Sequence, residues 1–344
     1  MLTPLILGCS GSELTDVERC FFKETEPLGF ILFQRNCKNR KQVKKLVCEL
    51  RDSVGRHAPV LIDQEGGRVQ RLKPPEWSRY IASKTFGEIL KIDHCTASRL
   101  AMINAQLIAE DLFELGVNIN CAPVLDLREE GGHAIIGDRA LSNEPEAVRL
   151  LGQAIIDGFA AVGVASVIKH IPGHGRAKLD SHYALPSIDT EINKLIERDF
   201  YPFKHVENAY AAMTGHLLFS KIDPLNPVTF SKKVICEVIR GHMDFDDLLI
   251  SDDLSMNALN GDIGERTKRA LEAGCDVALH CNGDFSEMQL AAEACSRPHE
   301  RSIARINRFT AQIEELGKKR EAVNVSKLAA ELEVGLKALT SKKN

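Results

Sequence analysis

Short apolar runs punctuate the chain, and each gives way to glycine or polar residues. They are Leu5–Leu7, Gly29–Phe33, Val60–Ile62, Val117–Val124, Ala165–Ile168, Ala211–Thr214, Leu248–Ile250 and Val277–Leu279. Uninterrupted stretches this short suit strands buried on both faces, as in parallel sheets. Between them, apolar positions recur three and four residues apart, as at Val43, Leu46, Val47 and Leu50. That spacing predicts helices over 43–50, 100–115, 147–162, 192–210, 232–240 and 265–273. Strand and helix alternate through eight units, which predicts an α/β fold, a single (β/α)8 TIM barrel. The tail from Ser302 to about Leu339 reads as two extra helices, with Ile303, Ile306, Phe309, Ile313 and Leu316 on the first. A doubly wound open sheet is the competing architecture. It calls for a phosphate-binding glycine motif, and neither GxGxxG nor GxxxxGK[ST] occurs. No repeat, low-complexity segment or Pro-rich linker divides the chain, so residues 1–344 read as one domain with the C-terminal helices from about 302 packed on it.

Composition narrows the picture. Of the 344 residues, 44% are hydrophobic and 27% charged, which excludes disorder over most of the chain. No stretch approaches the roughly 20 apolar residues of a membrane span. The balance of 44 basic against 48 acidic residues argues against nucleic acid as a partner. Ten cysteines occur without any CxxC and read as reduced, small apolar residues. Ile6-Leu7-Gly8-Cys9 superficially resembles a lipoprotein cleavage site, but only eight residues precede the cysteine and none is basic. Pro4–Gly8 is therefore read as the first strand, and the chain as cytoplasmic.

Barrel enzymes carry their chemistry at the C-terminal ends of the strands. Here Asp63, Lys169-His170, His216, Asp252-Asp253 and His280 follow five of the predicted strands and form a ring of ionisable groups on one rim. The loop Lys169–His182 is the densest, with three histidines, one aspartate and two glycines in fourteen positions. Asp180 and His182 lie two apart, and a carboxylate beside an imidazole suits proton transfer near neutral pH. The spacing of His170 and His174 also leaves a metal site open, although HxH and HExxH are absent. Asp252 suits a nucleophile or a stabiliser of a developing cation, and Ser251-Asp252-Asp253 also suits helix capping. Asp63 can accept hydrogen bonds from vicinal hydroxyls and Arg71 can donate in a fork, or the two can simply pair with each other. Gly66-Gly67 allow a tight turn, and Arg139 offers another cation from the loop after the fourth strand.

Asp63–Arg71 (DQEGGRVQR), Lys169–His182 (KHIPGHGRAKLDSH) and Ser251–Met256 (SDDLSM) resemble the signatures of family 3 glycoside hydrolases, more closely the bacterial cytoplasmic β-N-acetylhexosaminidases of peptidoglycan recycling. The similarity extends through Gly29–Asn36, Ala122–Asp126, Ile136–Arg139 and Ala273–Asp276, in the same order, over roughly residues 5 to 285. The resemblance implies a barrel without a second domain. It also implies a retaining hydrolase that releases non-reducing terminal N-acetylglucosamine from GlcNAc-1,6-anhydro-MurNAc, with or without its peptide. Asp252 then corresponds to the nucleophile, His182 to the acid/base and Asp180 to its dyad partner. Asp63, Arg71, Arg139, Lys169 and His170 correspond to sugar-binding positions. No metal or cofactor is implied, the expected partner is a muropeptide glycan rather than nucleic acid or membrane, and the small family members suggest a monomer. Arg176-Ala177 departs from the commoner loop, which carries a small acidic or amide residue and then Thr. Three competing functions use the same residues: a phosphorylase with phosphate as acceptor, a metal-dependent hydrolase on His170 and His174, and a non-catalytic glycan-binding barrel.

Overall fold

The computed structural model describes residues 2–181 and 183–340. Eight parallel strands close a barrel: β1 (Thr3–Gly8), β2 (Pro27–Leu32), β3 (Val60–Ile62), β4 (Ile119–Asn120), β5 (Ala165–Ile171), β6 (Ala211–Thr214), β7 (Leu248–Asp253) and β8 (Val277–His280). Each pairs with its neighbours in sequence, and β1 closes on β8 with Leu5 opposite Ala278. Side chains alternate across the wall, as strand geometry requires. Ile6, Ile31 and Leu61 fill the barrel interior, while Leu5, Leu7, Phe30, Leu32, Val60 and Ile62 pack outward under the helices.

The helices are α1 (Asp16–Thr25), α2 (Arg40–Val54), α3 (Ser83–Leu90), α4 (His94–Glu114), α5 (Pro145–Ala161), α6 (Ile192–Glu197), α7 (Tyr201–His205), α8 (Ile263–Ala273), α9 (Phe285–Ala294), α10 (Glu300–Lys318) and α11 (Val325–Thr340). All eight predicted strands form, and so do the two tail helices. The 117–124 run, however, is regular strand only at Ile119–Asn120. Pro123 lacks the N–H that a central strand must donate, and pairing resumes in a single bridge from Val124 to Lys169. The helix predicted over 192–210 is broken into α6 and α7, because Pro202 sits in the first turn of α7 and cannot continue a preceding turn. The 232–240 segment winds instead as a π-helix over Val234–His242. The apolar spacing does not show α1, α3 or α9. For α1 the signal is a capping box in which Thr15 accepts from the Glu18 backbone and Glu18 reaches back to Thr15.

α10 covers the N-terminal end of the barrel, where Ile306, Phe309 and Ile313 pack with the interior side chains. Asp276, just before β8, ties it down. Its carboxylate accepts from Arg240 Nη2 at 2.7 Å, Arg305 Nη1 at 3.2 Å, Ser302 Oγ at 2.7 Å and the Leu249 N–H at 3.0 Å. Removing one partner of a buried ion pair leaves uncompensated charge. Asp276→Ala is therefore expected to lower unfolding stability by about 3–5 kcal/mol, read as a lower midpoint in chemical denaturation. An unchanged midpoint would show that α10 is held by its apolar face alone.

Candidate active site

At the opposite, C-terminal end of the strands lies a cavity of about 230 Å³. Of the eight residues to which the resemblance gives a role, Asp63, Arg71, Arg139, Lys169, His170 and Asp252 line it. Asp180 is half-buried in the turn that leads to Ala184 and does not line the cavity. His182 lies outside the described residues. His216 and His280, placed on the same rim by sequence, are wholly buried and turn to internal partners. His280 Nε2 meets Glu287 Oε2 at 2.9 Å.

Two irregularities in the barrel wall build the site. Lys169 pairs with Met213 while Ile171 pairs with Thr214, so β5 carries an extra residue there. Such a bulge breaks strict alternation and lets consecutive side chains face the same way. Lys169 and His170 accordingly both line the cavity. A second shift, between Ile250 and Asp253 on β7, does the same for Asp252 and Asp253.

Lys169 is the centre of one wall. Its ammonium is 2.7 Å from Asp63 Oδ1 and 2.7 Å from Glu65 Oε1. Arg71 Nη2 donates to Asp63 Oδ2 at 3.0 Å and lies over the Phe33 ring at 4.7 Å. Arg139 takes Glu65 in a fork, Nε to Oε2 at 2.9 Å and Nη2 to Oε1 at 2.8 Å. Burial raises the Asp63 and Glu65 carboxyls, but the facing cations outweigh it, holding Asp63 far below the carboxylate range and Glu65 at about 2. Burial lowers the Lys169 ammonium, and the two carboxylates more than restore it. Two carboxylates against three cations leave one positive charge in excess. The Asp63–Arg71 pairing considered from sequence is real, and the pair nevertheless faces the cavity.

The hairpin Gln64–Gly66 with Val69–Gln70 delivers Glu65. Its turn runs through Gly66 and Gly67 at φ 91° and 59°, and a Cβ on Gly66 would stand 2.4 Å from the Ile81 carbonyl oxygen. Sequence reasoning passed over Glu65, although two residues beyond Asp63 is the spacing that shares a face in extended chain. It also passed over Asp126, which is fully buried. Asp126 Oδ2 accepts from His170 Nδ1 at 2.6 Å, and Oδ1 accepts from the His174 N–H at 2.6 Å. With Nδ1 so occupied, His170 presents Nε2 to the cavity. His174 is pressed to the neutral side, at about 4, first by burial and then by the charge of His170.

Asp252 stands on β7. Its Oδ1 accepts from the Asp253 N–H at 2.8 Å, and among the described residues Oδ2 has no hydrogen-bond partner. Burial raises this carboxyl, while His216, His170 and Lys169 pull it below the usual range, so it is ionised near neutral pH. A hydrogen-bonded chain braces it from behind. The Asp252 N–H donates to Thr214 Oγ1 at 3.2 Å, Thr214 Oγ1 lies 2.9 Å from Thr229 Oγ1, and Thr229 Oγ1 lies 2.7 Å from His216 Nδ1. His216 Nε2 lies 2.9 Å from the Asp253 carbonyl oxygen, to which it donates. Burial lowers the His216 imidazolium. Asp253 caps the turn that follows, accepting from Ser255 N at 3.0 Å and Ser255 Oγ at 2.7 Å.

The arrangement sets charged donors and acceptors on one wall and, on another, an ionised carboxylate oxygen without a hydrogen-bond partner among the described residues, a geometry suited to a polyhydroxy ring. The family model of the glycosyl hydrolase family 3 N-terminal domain matches residues 13–315. The chain is 35% identical over 308 residues to a β-hexosaminidase of Pseudomonas aeruginosa, covering 89% of this chain and 90% of that protein. It is 38% identical over 288 residues to a β-hexosaminidase of Alkalilimnicola ehrlichii, covering 82% and 81%. The fold superposes on NagZ from Neisseria gonorrhoeae with a TM-score of 0.86, at 29% identity over 97% of each chain. The protein is a glycoside hydrolase, and the chain belongs to glycosyl hydrolase family 3.

Glu65 yields a pH test. Its carboxyl is deprotonated in the fold where the unfolded chain would bind a proton, so its contribution is present above 4.5 and is lost as pH falls from 4.5 toward about 2. The stability difference between wild type and Glu65→Gln should shrink across that window in denaturation series. A constant difference would mean that Glu65 is not held by Lys169 and Arg139.

Proposed function

We propose that the protein is a retaining exo-β-N-acetylglucosaminidase. It releases non-reducing terminal N-acetylglucosamine from peptidoglycan fragments, GlcNAc-1,6-anhydro-MurNAc with or without peptide, in cytoplasmic cell-wall recycling, and it works as a monomer. The observation that carries this reading is an ionised Asp252, whose Oδ2 has no hydrogen-bond partner among the described residues, in a cavity lined by Asp63, Arg71, Arg139, Lys169 and His170. The names of the β-hexosaminidase relatives support the sugar, and the network around Lys169 supports a single terminal ring held by its hydroxyls.

Asp252 attacks the anomeric carbon as the glycosidic bond breaks, and the leaving oxygen takes a proton from His182, with Asp180 stabilising the imidazolium. In the second step His182 takes a proton from water, the hydroxide oxygen bonds to the anomeric carbon and the Asp252 ester breaks. Two inversions give net retention. Histidine in place of the usual second carboxylate still supplies a proton near neutral pH, because its ordinary titration range lies there.

The test is hydrolysis of 4-nitrophenyl N-acetyl-β-D-glucosaminide by wild type and Asp252→Ala, with the glucoside as control. Wild type should cleave the acetamido sugar, releasing it first as the β anomer. Asp252→Ala should lose at least about 10³-fold in kcat. Full activity in Asp252→Ala would overturn the nucleophile. Turnover that requires inorganic phosphate and yields a sugar 1-phosphate would replace the hydrolase with a phosphorylase.

A further inference from the structure

Arg176 is the one guanidinium in the loop between β5 and Pro186, and its side chain is only 12% exposed. It joins two carboxylates from other segments. Nε donates to Asp199 Oδ2 at 2.8 Å, and Nη2 donates to Glu129 Oε1 at 3.0 Å. Glu129, from the loop after β4, takes a second bond from Arg198 Nε at 3.0 Å, and Arg198 Nη2 donates to the Asn143 carbonyl at 2.8 Å. Two guanidiniums thus neutralise two carboxylates at the junction of three loops.

The backbone around Arg176 is held as closely as its side chain. A Cβ on Gly175 would stand 2.1 Å from the Leu127 carbonyl oxygen, and one on Gly173 would stand 3.1 Å from Asp199 Cβ. The His133 N–H donates to the Ala177 carbonyl at 2.7 Å. This close packing ends at Ala177. Lys178 and Leu179 are exposed, Asp180 is half-buried, and Ser181 is buried, its Oγ 3.3 Å from His174 Nε2. Residues 178–180 form a short arch whose two feet, Ala177 and Ser181, both refer to the block that Arg176 and His174 belong to.

We propose that Arg176 is a positioning residue for proton transfer. By locking the upstream foot of the arch it sets where the Asp180 carboxylate stands. The inference rests on the assignment of Asp180 and His182 as the acid/base pair. Proton transfer needs hydrogen-bond reach, and a displacement of about 1 Å costs about 10²-fold in rate.

Leaving-group dependence is the readout that separates positioning from simple loss of stability. A 2,4-dinitrophenolate departs without a proton, whereas an alkoxide of a disaccharide does not. Arg176→Ala should lower kcat/KM on the disaccharide by about 10²-fold and on the dinitrophenyl glycoside by less than about threefold. Azide, which attacks without a general base, should restore its kcat on the activated substrate. Arg176→Lys, which keeps the charge but not the fork, should recover part of the loss. Glu129→Gln should change the disaccharide rate in the same direction by about tenfold, and it decides the matter if Arg176→Ala does not fold. Equal losses on both substrates, or none, would overturn the positioning role. His182→Ala run alongside keeps the two ideas apart. If it lacks the steep leaving-group dependence, the acid/base assignment fails; if it shows it and Arg176→Ala does not, only the role of Arg176 falls.

Discussion

The ammonium of Lys169 lies out of water between Asp63 and Glu65, and the cleft is organised around keeping all three groups charged. An unpaired ion at that depth would neutralise rather than stay. The carboxylates in turn need Arg71 and Arg139, which arrive from the hairpin after β3 and from the loop after β4. One buried cation therefore gathers three separate stretches of chain onto one wall. The arginines that satisfy the carboxylates also line the cavity, so the charge of the cleft and the cohesion of its rim come from the same contacts.

The opposite wall is built on a different footing. Among the described residues, Asp252 has no counter-ion at contact distance. It is held through its backbone, from Thr214 on one side and from His216 through the Asp253 carbonyl on the other. Fixing the backbone leaves the carboxylate oxygen unencumbered, which a nucleophile needs and a structural ion pair would prevent. The bulges on β5 and β7 make both walls available at once, because each turns two neighbouring side chains into the cavity where regular alternation would turn one.

The barrel was legible because every wall strand is buried on both faces and so writes itself as an unbroken apolar run. Asp63, Lys169, His170 and Asp252 were legible because they follow such runs immediately. His216 and His280 obey the same rule and yet turn inward. Position at a strand end measures distance from the rim, whereas the direction of the side chain depends on partners such as Thr229 and Glu287, which the apolar pattern does not mark. Glu65 and Asp126 went unread for related reasons. The first sits in a small hairpin with no apolar signature, and the second follows a stretch that Pro123 interrupts. The split at Pro202 was readable from the proline itself, but the apolar periodicity runs through it. The placement of Asp180 belongs to loop geometry, on which strand and helix patterns are silent.

The seam between β1 and β8 has a consequence for how the chain is made. Leu5 and Ala278 are partners, so the first strand emerges from the ribosome long before its neighbour exists. During that interval one edge of β1 presents unpaired backbone groups, a template for pairing with other chains. The helix that covers the barrel floor comes later still, through Arg305 and its contact with Asp276. Nascent molecules must therefore spend most of their synthesis as an open, curling sheet, and closure is a late event of high contact order. The unpaired edge of β1 is then the place where a half-made chain is open to mispairing.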